Sequence, residues 1–191
     1  MKTGLGLRRK YRKFIAYLNF IRFSIRKILI GFDVANIFLR QVDKYSVLLI
    51  LKKYGASIGK NCDIETGLTF HNCINYKNLI IGNNCHIGKN CFFDLRDKIT
   101  IGDNVVISMN SVFITHLDLS KSNLSNYYPP KTGKIIIEDN SYIGCNSTIL
   151  EGVTIYKNAF VASCALVNKD VSSYTLVGGI PAKLIREINL K

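Results

Sequence analysis

A large aliphatic or aromatic residue recurs every six positions over most of this chain, and that repeat constrains the fold more than any other feature. Fifteen six-residue units fill most of the stretch from residue 58 to residue 172. Neither an α-helix, with its period of 3.6, nor a simple alternating strand produces such spacing. The units form five groups of three, beginning at Ile58, Ile64 and Phe70; Ile81, Ile87 and Phe93; Ile101, Ile107 and Phe113; Ile137, Ile143 and Ile149; and Ile155, Val161 and Val167.

Each unit has the composition of a short strand followed by a tight corner. Glycine often follows the large residue, as at Gly82 and Gly144, and Asn or Asp often comes next. These residue types tolerate turn conformations. Three units would close one triangular coil, and stacked coils would bury a continuous apolar column. The pattern predicts an all-β solenoid, a parallel β-helix of about five coils.

The repeat is interrupted at residues 76–80, 99–100 and 119–136. The longest interruption begins soon after His116 and contains two tyrosines and two prolines. Long loops on rigid scaffolds commonly carry function. We therefore predict that 119–136 is an inserted functional loop, with a plain surface insertion as the alternative.

The segments at the two ends of the repeat predict helical caps. Residues 1–53 mix apolar and basic residues at spacings compatible with one or two amphipathic helices. The solenoid is assigned to 54–177, and a capping turn followed by a short C-terminal helix, with helix-forming composition from Ala182, to 178–191.

The net charge of +13 is concentrated in the N-terminal segment, where residues 1–53 hold 13 Lys and Arg against only Asp33 and Asp43. Three interpretations are open: helices that lie on an anionic membrane, a solvated cap on the coil, or a nucleic-acid patch. The first is favoured and nucleic acid is not expected, because basic residues 8–13 stand beside large apolar residues, as in interfacial helices.

The uncharged runs of the chain are much shorter than the roughly 18 to 20 residues that span a bilayer. No signal-peptide pattern is found at the N-terminus, because basic residues follow the first apolar stretch. We expect a cytoplasmic location, at the inner face of the membrane if the N-terminal helices bind it. The six cysteines include no C-x-x-C pair, so no metal site is expected.

The three histidines, His71, His86 and His116, are candidates for acid–base chemistry. Transfer of an acyl group from a thioester to an alcohol needs a base with a pKa near ~7, and histidine is the side chain suited to that role. His116 is the favoured candidate because it stands at the edge of the long loop.

Several stretches resemble known enzymes: the six-residue repeat itself, residues 113–118, residues 143–155, and Gly-Ile-Pro-Ala-Lys-Leu-Ile-Arg at 179–186. Together they resemble the hexapeptide-repeat acyltransferase superfamily, and within it the O-acetyltransferases of sugars and capsular polysaccharides. The resemblance implies a left-handed coil, a homotrimer and acetyl-CoA as co-substrate. It implies transfer of acetyl to a hydroxyl of a sugar or surface-glycan precursor.

The resemblance also implies roles for individual residues. His116 matches the catalytic histidine, which acts as general base. Asp94 falls close to an acceptor-binding position, and Asp118 is a second acceptor-binding candidate, for which an imidazole-orienting role and a solvated acid are the alternatives. The residues implied along the pantetheine and adenine path are Tyr142, Cys145, Ser163 and Asn168, and those implied near the phosphates are Lys169, Lys183 and Arg186.

The chain departs from the sugar acetyltransferases at residues 115–119, which read Thr-His-Leu-Asp-Leu where many relatives have Thr-His-Asp-His-Asp. The substrate subfamily therefore stays open. A serine O-acetyltransferase is one alternative, since residues 67–71 are similar to a histidine segment of those enzymes. A non-catalytic binding protein is another. A zinc enzyme with three histidines is disfavoured, because the histidines lack the close spacing of that class.

Overall fold

The computed structural model describes residues 3–189 as three helices followed by a β-solenoid. The helices are α1 Thr3–Ile30, α2 Phe32–Leu39 and α3 Lys44–Lys53, and a single 3-10 turn covers Asn123–Asn126. The strands are β1 Ser57–Ile58, β2 Asp63–Ile64, β3 Thr69–His71, β4 Leu79–Ile81, β5 His86–Ile87, β6 Phe92–Asp94, β7 Ile99–Ile101, β8 Val106–Ile107, β9 Val112–Phe113, β10 His116–Leu117, β11 Lys131–Thr132, β12 Ile135–Ile137, β13 Tyr142–Ile143, β14 Thr148–Ile149, β15 Thr154–Ile155, β16 Phe160–Val161, β17 Leu166–Val167, β18 Thr175–Gly178 and β19 Lys183–Glu187.

The solenoid has three faces, and each face is a parallel sheet. The first sheet runs β1-β4-β7-β12-β15, the second contains β2-β5-β8-β13-β16-β18, and the third runs β3-β6-β9-β14-β17. Successive strands along the chain therefore fall on successive faces, and three strands complete one turn. There are five full turns and the beginning of a sixth, which confirms the solenoid predicted from the repeat.

The large residue of each unit points into the prism and is buried. On the third face, Phe70, Phe93 and Phe113 stack with ring centroids 5.6 and 5.0 Å apart. Phe93 is 1% exposed and Phe113 is fully buried. Each coil thus contacts only the coils above and below it, which is the stacking that the repeat predicts.

Asparagine forms the corners of the solenoid. Asn84, Asn104 and Asn140 adopt left-handed backbone conformations with φ near 57°, which asparagine tolerates better than most residues. The Asn84 side-chain amide also donates to Asn104 in the next coil at 3.2 Å. At Gly144 a Cβ atom would come within 2.4 Å of the Ser163 backbone nitrogen. These corners explain why the repeat holds six residues.

All three interruptions of the repeat lie at one corner of the prism, between the third and the first sheet. They separate β3 from β4, β6 from β7, and β9 from β12. Strand β10 ends just before the longest one, β11 lies within it, and the two strands pair antiparallel, so the predicted insertion forms the greater part of a hairpin at this corner. Residues 79, 80, 99, 100, 135 and 136, counted as interruptions in the sequence, extend strands β4, β7 and β12.

The N-terminal segment forms three helices, where the sequence predicted one or two. Helix α1 packs against α2 and α3, and those two contact the first coil. Phe23 of α1 is fully buried and lies 4.9 Å from Tyr54 and 5.8 Å from Phe32, measured between ring centroids. Among residues 3–189, no helix has the length and apolarity required to cross a bilayer.

The predicted C-terminal helix is wrong, because β19 occupies that segment and pairs antiparallel with β18. Strand β18 ends the second sheet, and its outer edge would otherwise leave backbone N–H and C=O groups without partners. Pairing satisfies those groups, which outweighs the helix-forming composition of the segment. Residues 1, 2, 190 and 191 of the predicted terminal segments lie outside the described residues.

We expect Phe93→Ala to lower the free energy of unfolding by about 3–5 kcal/mol, because it removes the middle ring of a buried stack. Denaturant titration would measure the change. Tyr127→Ala is the matched control, since that aromatic side chain is 79% exposed, and its effect should stay within about 0.5 kcal/mol. Equal effects of the two substitutions would contradict the stacked core.

Candidate active site

Polar residues from three successive coils meet at the corner where the repeat is interrupted. Asn72 follows β3, Asp94 ends β6, and Thr115 and His116 follow β9. The parallel register aligns His71 with Asp94 on neighbouring strands, so the residues that come next along each coil also lie above one another. The corner thereby brings together residues that are more than 20 positions apart in sequence.

The closest contact at this corner joins the His116 imidazole to the Asp94 carboxylate. Nδ1 of His116 lies 2.6 Å from Oδ2 of Asp94. The same oxygen accepts hydrogen bonds from the Thr115 backbone N–H at 2.9 Å and from its hydroxyl at 2.8 Å. Asn72 donates to Oδ1 at 2.9 Å. The Asp94 side chain is fully buried, whereas that of His116 is 19% exposed.

The environment of Asp94 keeps its carboxylate charged. Burial alone would raise the pKa of Asp94, but the hydrogen bonds from His116, Asn72 and Thr115 outweigh burial and lower the pKa to about 2. An ionised carboxylate accepts a proton-bearing nitrogen, so Nδ1 of His116 carries the ring proton. The other ring nitrogen, Nε2, then has a free lone pair. This arrangement suits a general base.

His116 opens onto a surface cleft of about 420 Å³ that residues of the inserted loop complete. A second cavity, of about 490 Å³, contains Asp33, His71, Asn72 and Ile74 in its wall. Arg96 lines both cavities, so its side chain stands between them. The two cavities are neighbours along the interrupted corner, and we call them together the corner groove.

Asp118 does not make the contact that one interpretation of the sequence assigned to it. Its carboxylate pairs with Arg96 at 3.2 Å and accepts the Ser120 backbone N–H at 3.0 Å. Hydrogen bonds from Ser120 and then from Arg96 lower the pKa of Asp118 to about 2. The carboxylate that contacts the imidazole is Asp94 instead. Asp118 lines the corner groove next to His116.

The position of Asp94 also differs from the one expected for a residue that contacts an acceptor. Both of its oxygens are occupied by donors from the protein, and none of its side chain reaches solvent. Sequence reasoning missed Asn72, Thr115 and Arg96 altogether. One signal was available, because each of the three stands three or four positions before an interruption of the repeat.

Part of the expected coenzyme path comes together on the C-terminal coils. Cys145 Sγ lies 3.4 Å from Ser163 Oγ in the next coil, and the Tyr142 hydroxyl is 2.9 Å from Ser108 Oγ. The other expected residues lie in different places. Asn168 and Lys169 line a small cavity of about 220 Å³ beyond β17, and Lys183 and Arg186 are exposed on β19.

The three histidines have separate surroundings. His86 faces Asp63 across the second sheet at 3.4 Å, and His71 lies against the Phe92 ring with centroids 5.9 Å apart. Within the described part of the chain, no three His, Cys, Asp or Glu side chains converge in a way that could hold a metal ion.

Comparison with known proteins establishes the family. A family model described as the hexapeptide repeat of succinyl-transferase matches residues 78–115 and 134–164. A hexapeptide-repeat acetyltransferase from Vibrio cholerae is 30% identical, with 81% of this chain aligned to 86% of that one and a TM-score of 0.69. The chain belongs to the hexapeptide-repeat acyltransferase family. The predicted left-handed coiling rests on that membership.

Two further relatives show how far the likeness extends. A maltose O-acetyltransferase from Clostridium difficile 630 is 25% identical, with 98% of this chain and 90% of that one covered and a TM-score of 0.68. A curated 2,3,4,5-tetrahydropyridine-2,6-dicarboxylate N-acetyltransferase from Staphylococcus aureus is 49% identical over 59 residues, which are 31% of this chain. That match spans a quarter of the curated relative's length.

Asp94 should make the stability of the protein depend on pH in the acid range. Its folded pKa of about 2 lies below the ordinary value of 3.8, so its contribution is present above about pH 4 and is lost as pH falls towards 2. Over that pH range, we expect the free energy of unfolding of the wild type to fall by on the order of 2 kcal/mol more than that of Asp94→Asn. Urea titrations at several pH values would measure this.

Asp118→Asn is the control for that experiment. Asp118 is exposed, so solvent and salt screen its interactions, and at high salt this variant should follow the wild type. A pH dependence that is the same in the wild type and in Asp94→Asn would show that the buried carboxylate is not held in its charged form.

Proposed function

We propose that the protein is an O-acetyltransferase that moves acetyl from acetyl-CoA to a hydroxyl of a sugar or surface-glycan precursor. The observation that carries the proposal is the contact between Asp94 and His116 at the edge of the corner groove. A charged carboxylate on Nδ1 leaves Nε2 free to accept a proton, and the imidazole is exposed enough to meet a substrate.

In the proposed reaction, His116 Nε2 takes the proton of the acceptor hydroxyl while the oxygen attacks the thioester carbonyl carbon. The resulting tetrahedral intermediate collapses as the C–S bond breaks, and the imidazolium returns its proton to the departing thiolate. The products are the acetyl ester and CoA, and no covalent enzyme intermediate forms. Asp94 acts as a positioning residue, since it holds the ring and stabilises the imidazolium without touching the substrate.

The relatives support acetyl-CoA as the donor. The Vibrio cholerae acetyltransferase has also been solved with acetyl coenzyme A, and a galactoside acetyltransferase has been solved with coenzyme A. On this chain, Tyr142, Cys145 and Ser163 are proposed to line the pantetheine path, with Asn168 further along it. Lys169, Lys183 and Arg186 are proposed to meet the phosphates.

Neighbouring subunits of a homotrimer are proposed to complete the site. Cys145 and Ser163 lie at the corner after the second sheet, and Tyr142 lies on that sheet, whereas His116 lies at the corner after the third. A single chain therefore presents the base at one corner and the expected donor path at another. In a trimer, the donor path of one subunit faces the base of the next.

The corner groove fits a polyhydroxylated acceptor. It offers charged and polar groups from Arg96, Asp118, Asn72 and Lys121, and such groups hydrogen-bond to sugar hydroxyls. One of the similar structures is named a maltose O-acetyltransferase and another a galactoside acetyltransferase. Because the curated Staphylococcus aureus relative is named an N-acetyltransferase, amino sugars belong on the panel of acceptors tested.

We expect His116→Ala to lower kcat by about 10² to 10⁴ while CoA binding is retained, because the substitution removes the general base. Acetyl-CoA turnover would be followed on nucleotide sugars, glycan fragments, amino sugars and serine. His86→Ala, which changes a histidine outside the corner groove, should keep nearly full activity. Full activity in His116→Ala together with loss of activity in His71→Ala would indicate that His71 is the base. Turnover with serine as the only acceptor would favour a serine acetyltransferase.

We expect Lys183→Ala/Arg186→Ala to raise the KM for acetyl-CoA by about tenfold, because two contacts to phosphate are lost. Acetyl-pantetheine lacks the nucleotide phosphates, so its KM should not change. Lys60→Ala/Lys89→Ala removes the same charge from exposed corners elsewhere and is the matched control. Equal changes for both donors would show that these residues act on folding and not on phosphate.

A further inference from the structure

Helix α1 carries a second apolar face that no other part of residues 3–189 covers. Its members recur at steps of four, three, seven, four and three residues, which places them along one side of the helix, with the half-buried Leu18 at the position between Phe14 and Ile21. They are Leu7, Tyr11, Phe14, Ile21, Ile25 and Ile28, exposed by 71, 64, 63, 39, 50 and 79% respectively. We call them the outer face of α1.

The outer face lies opposite the side by which α1 is attached to the protein. Ala16, Asn19 and Phe23 are buried, and they pack toward α2 and α3. At about 3.6 residues per turn, these positions are roughly half a turn away from the outer face. One side of the helix therefore packs against α2 and α3, and the apolar residues of the other side are exposed.

Basic residues flank the outer face on both sides. By helical spacing, Arg8 and Arg22 lie on one side, and Lys10 and Lys13 lie on the other. Helix α1 holds eight Lys and Arg residues and no Asp or Glu. An apolar strip between two rows of positive charge is the arrangement of a helix that lies in the interface of an anionic bilayer.

A cleft lies between the N-terminal half of α1 and α3, on the side of α1 that carries Ala16 and away from the outer face. It has a volume of about 760 Å³, and its wall contains Arg8, Arg9, Arg12 and Lys13. The Arg12 guanidinium donates to the Tyr45 hydroxyl at 2.8 Å and lies over the same ring at 5.0 Å, which fixes one cation at the cleft. Arg9 and Arg12 therefore belong to the attached side of α1, and the cations beside the outer face are the flanking ones.

We propose that α1 docks the protein on an anionic phospholipid membrane, with the outer face inserted among the lipids and the flanking cations on headgroup phosphates. The 28-residue helix is about 42 Å long and would lie parallel to the surface. Charge disfavours a second copy of the chain as the occupant, because two α1 helices in contact bring together positive charges with no acidic residue between them. The proposal stands apart from the acetyltransferase activity.

The test is flotation of the full-length protein with two kinds of vesicle, one of phosphatidylcholine alone and one of phosphatidylcholine mixed with phosphatidylglycerol. We expect binding to the mixed vesicles that weakens as salt is raised. Lys10→Glu/Lys13→Glu should reduce this binding by at least about tenfold. Lys60→Glu/Lys89→Glu changes the net charge by the same amount on the solenoid and should bind as the wild type does.

The apolar contribution is tested by polar and apolar substitutions at Phe14 and Ile25. Phe14→Ser/Ile25→Ser should lose vesicle binding, whereas Phe14→Leu/Ile25→Leu should retain it. Circular dichroism and acetyl transfer to a soluble acceptor would confirm that both variants are folded. Equal binding of the Ser and Leu variants would overturn the proposal. Failure of the wild type to bind the mixed vesicles would also overturn it. If Phe14→Ser/Ile25→Ser then lowered the mass of the oligomer in ultracentrifugation, the outer face would be a contact surface for a second copy of the chain.

Discussion

The stacking of one coil on the next is the constraint on which the rest of the structure depends. Each coil is held by parallel strand pairing on three faces and by left-handed residues, mostly asparagines, at the corners that follow the first and second sheets. A coil that gained or lost a residue within a face would turn its large side chains out of the core. Extra residues are therefore accommodated at corners, and here all three insertions share one corner.

The shared corner explains how a buried charge is tolerated beside the site. An unpaired carboxylate in the interior would be costly, but Asp94 receives donors from the coil below it, from its own coil and from the coil above it. The solenoid supplies these donors because its register stacks Asn72, Asp94 and Thr115 along the same edge. The position of the imidazole thus follows from the same stacking that builds the core.

Much of the fold could be predicted because its information is local and repeated. The units share a large apolar residue and similar turn residues, so the solenoid and its long insertion were visible in the sequence. His116 was visible as the leading candidate for a base, and that role stays a prediction. The C-terminal strand was not visible, because it forms only when the free edge of β18 is present. The sequence did not reveal that Asp94 is the carboxylate that contacts His116. Asp94 and Asp118 are the same residue type, and only their positions in the folded structure distinguish them.

The proposed chemistry requires that Asp94 hold His116 with a proton on Nδ1 and a free lone pair on Nε2. Nitrogen-15 NMR of labelled histidine at neutral pH measures the tautomer directly, and the signals of His116 are assigned as those missing from His116→Gln. We expect the Nδ1–H form in the wild type and a shift towards the Nε2–H form in Asp94→Asn. A predominant Nε2–H form in the wild type, or a tautomer unchanged in Asp94→Asn, would contradict it.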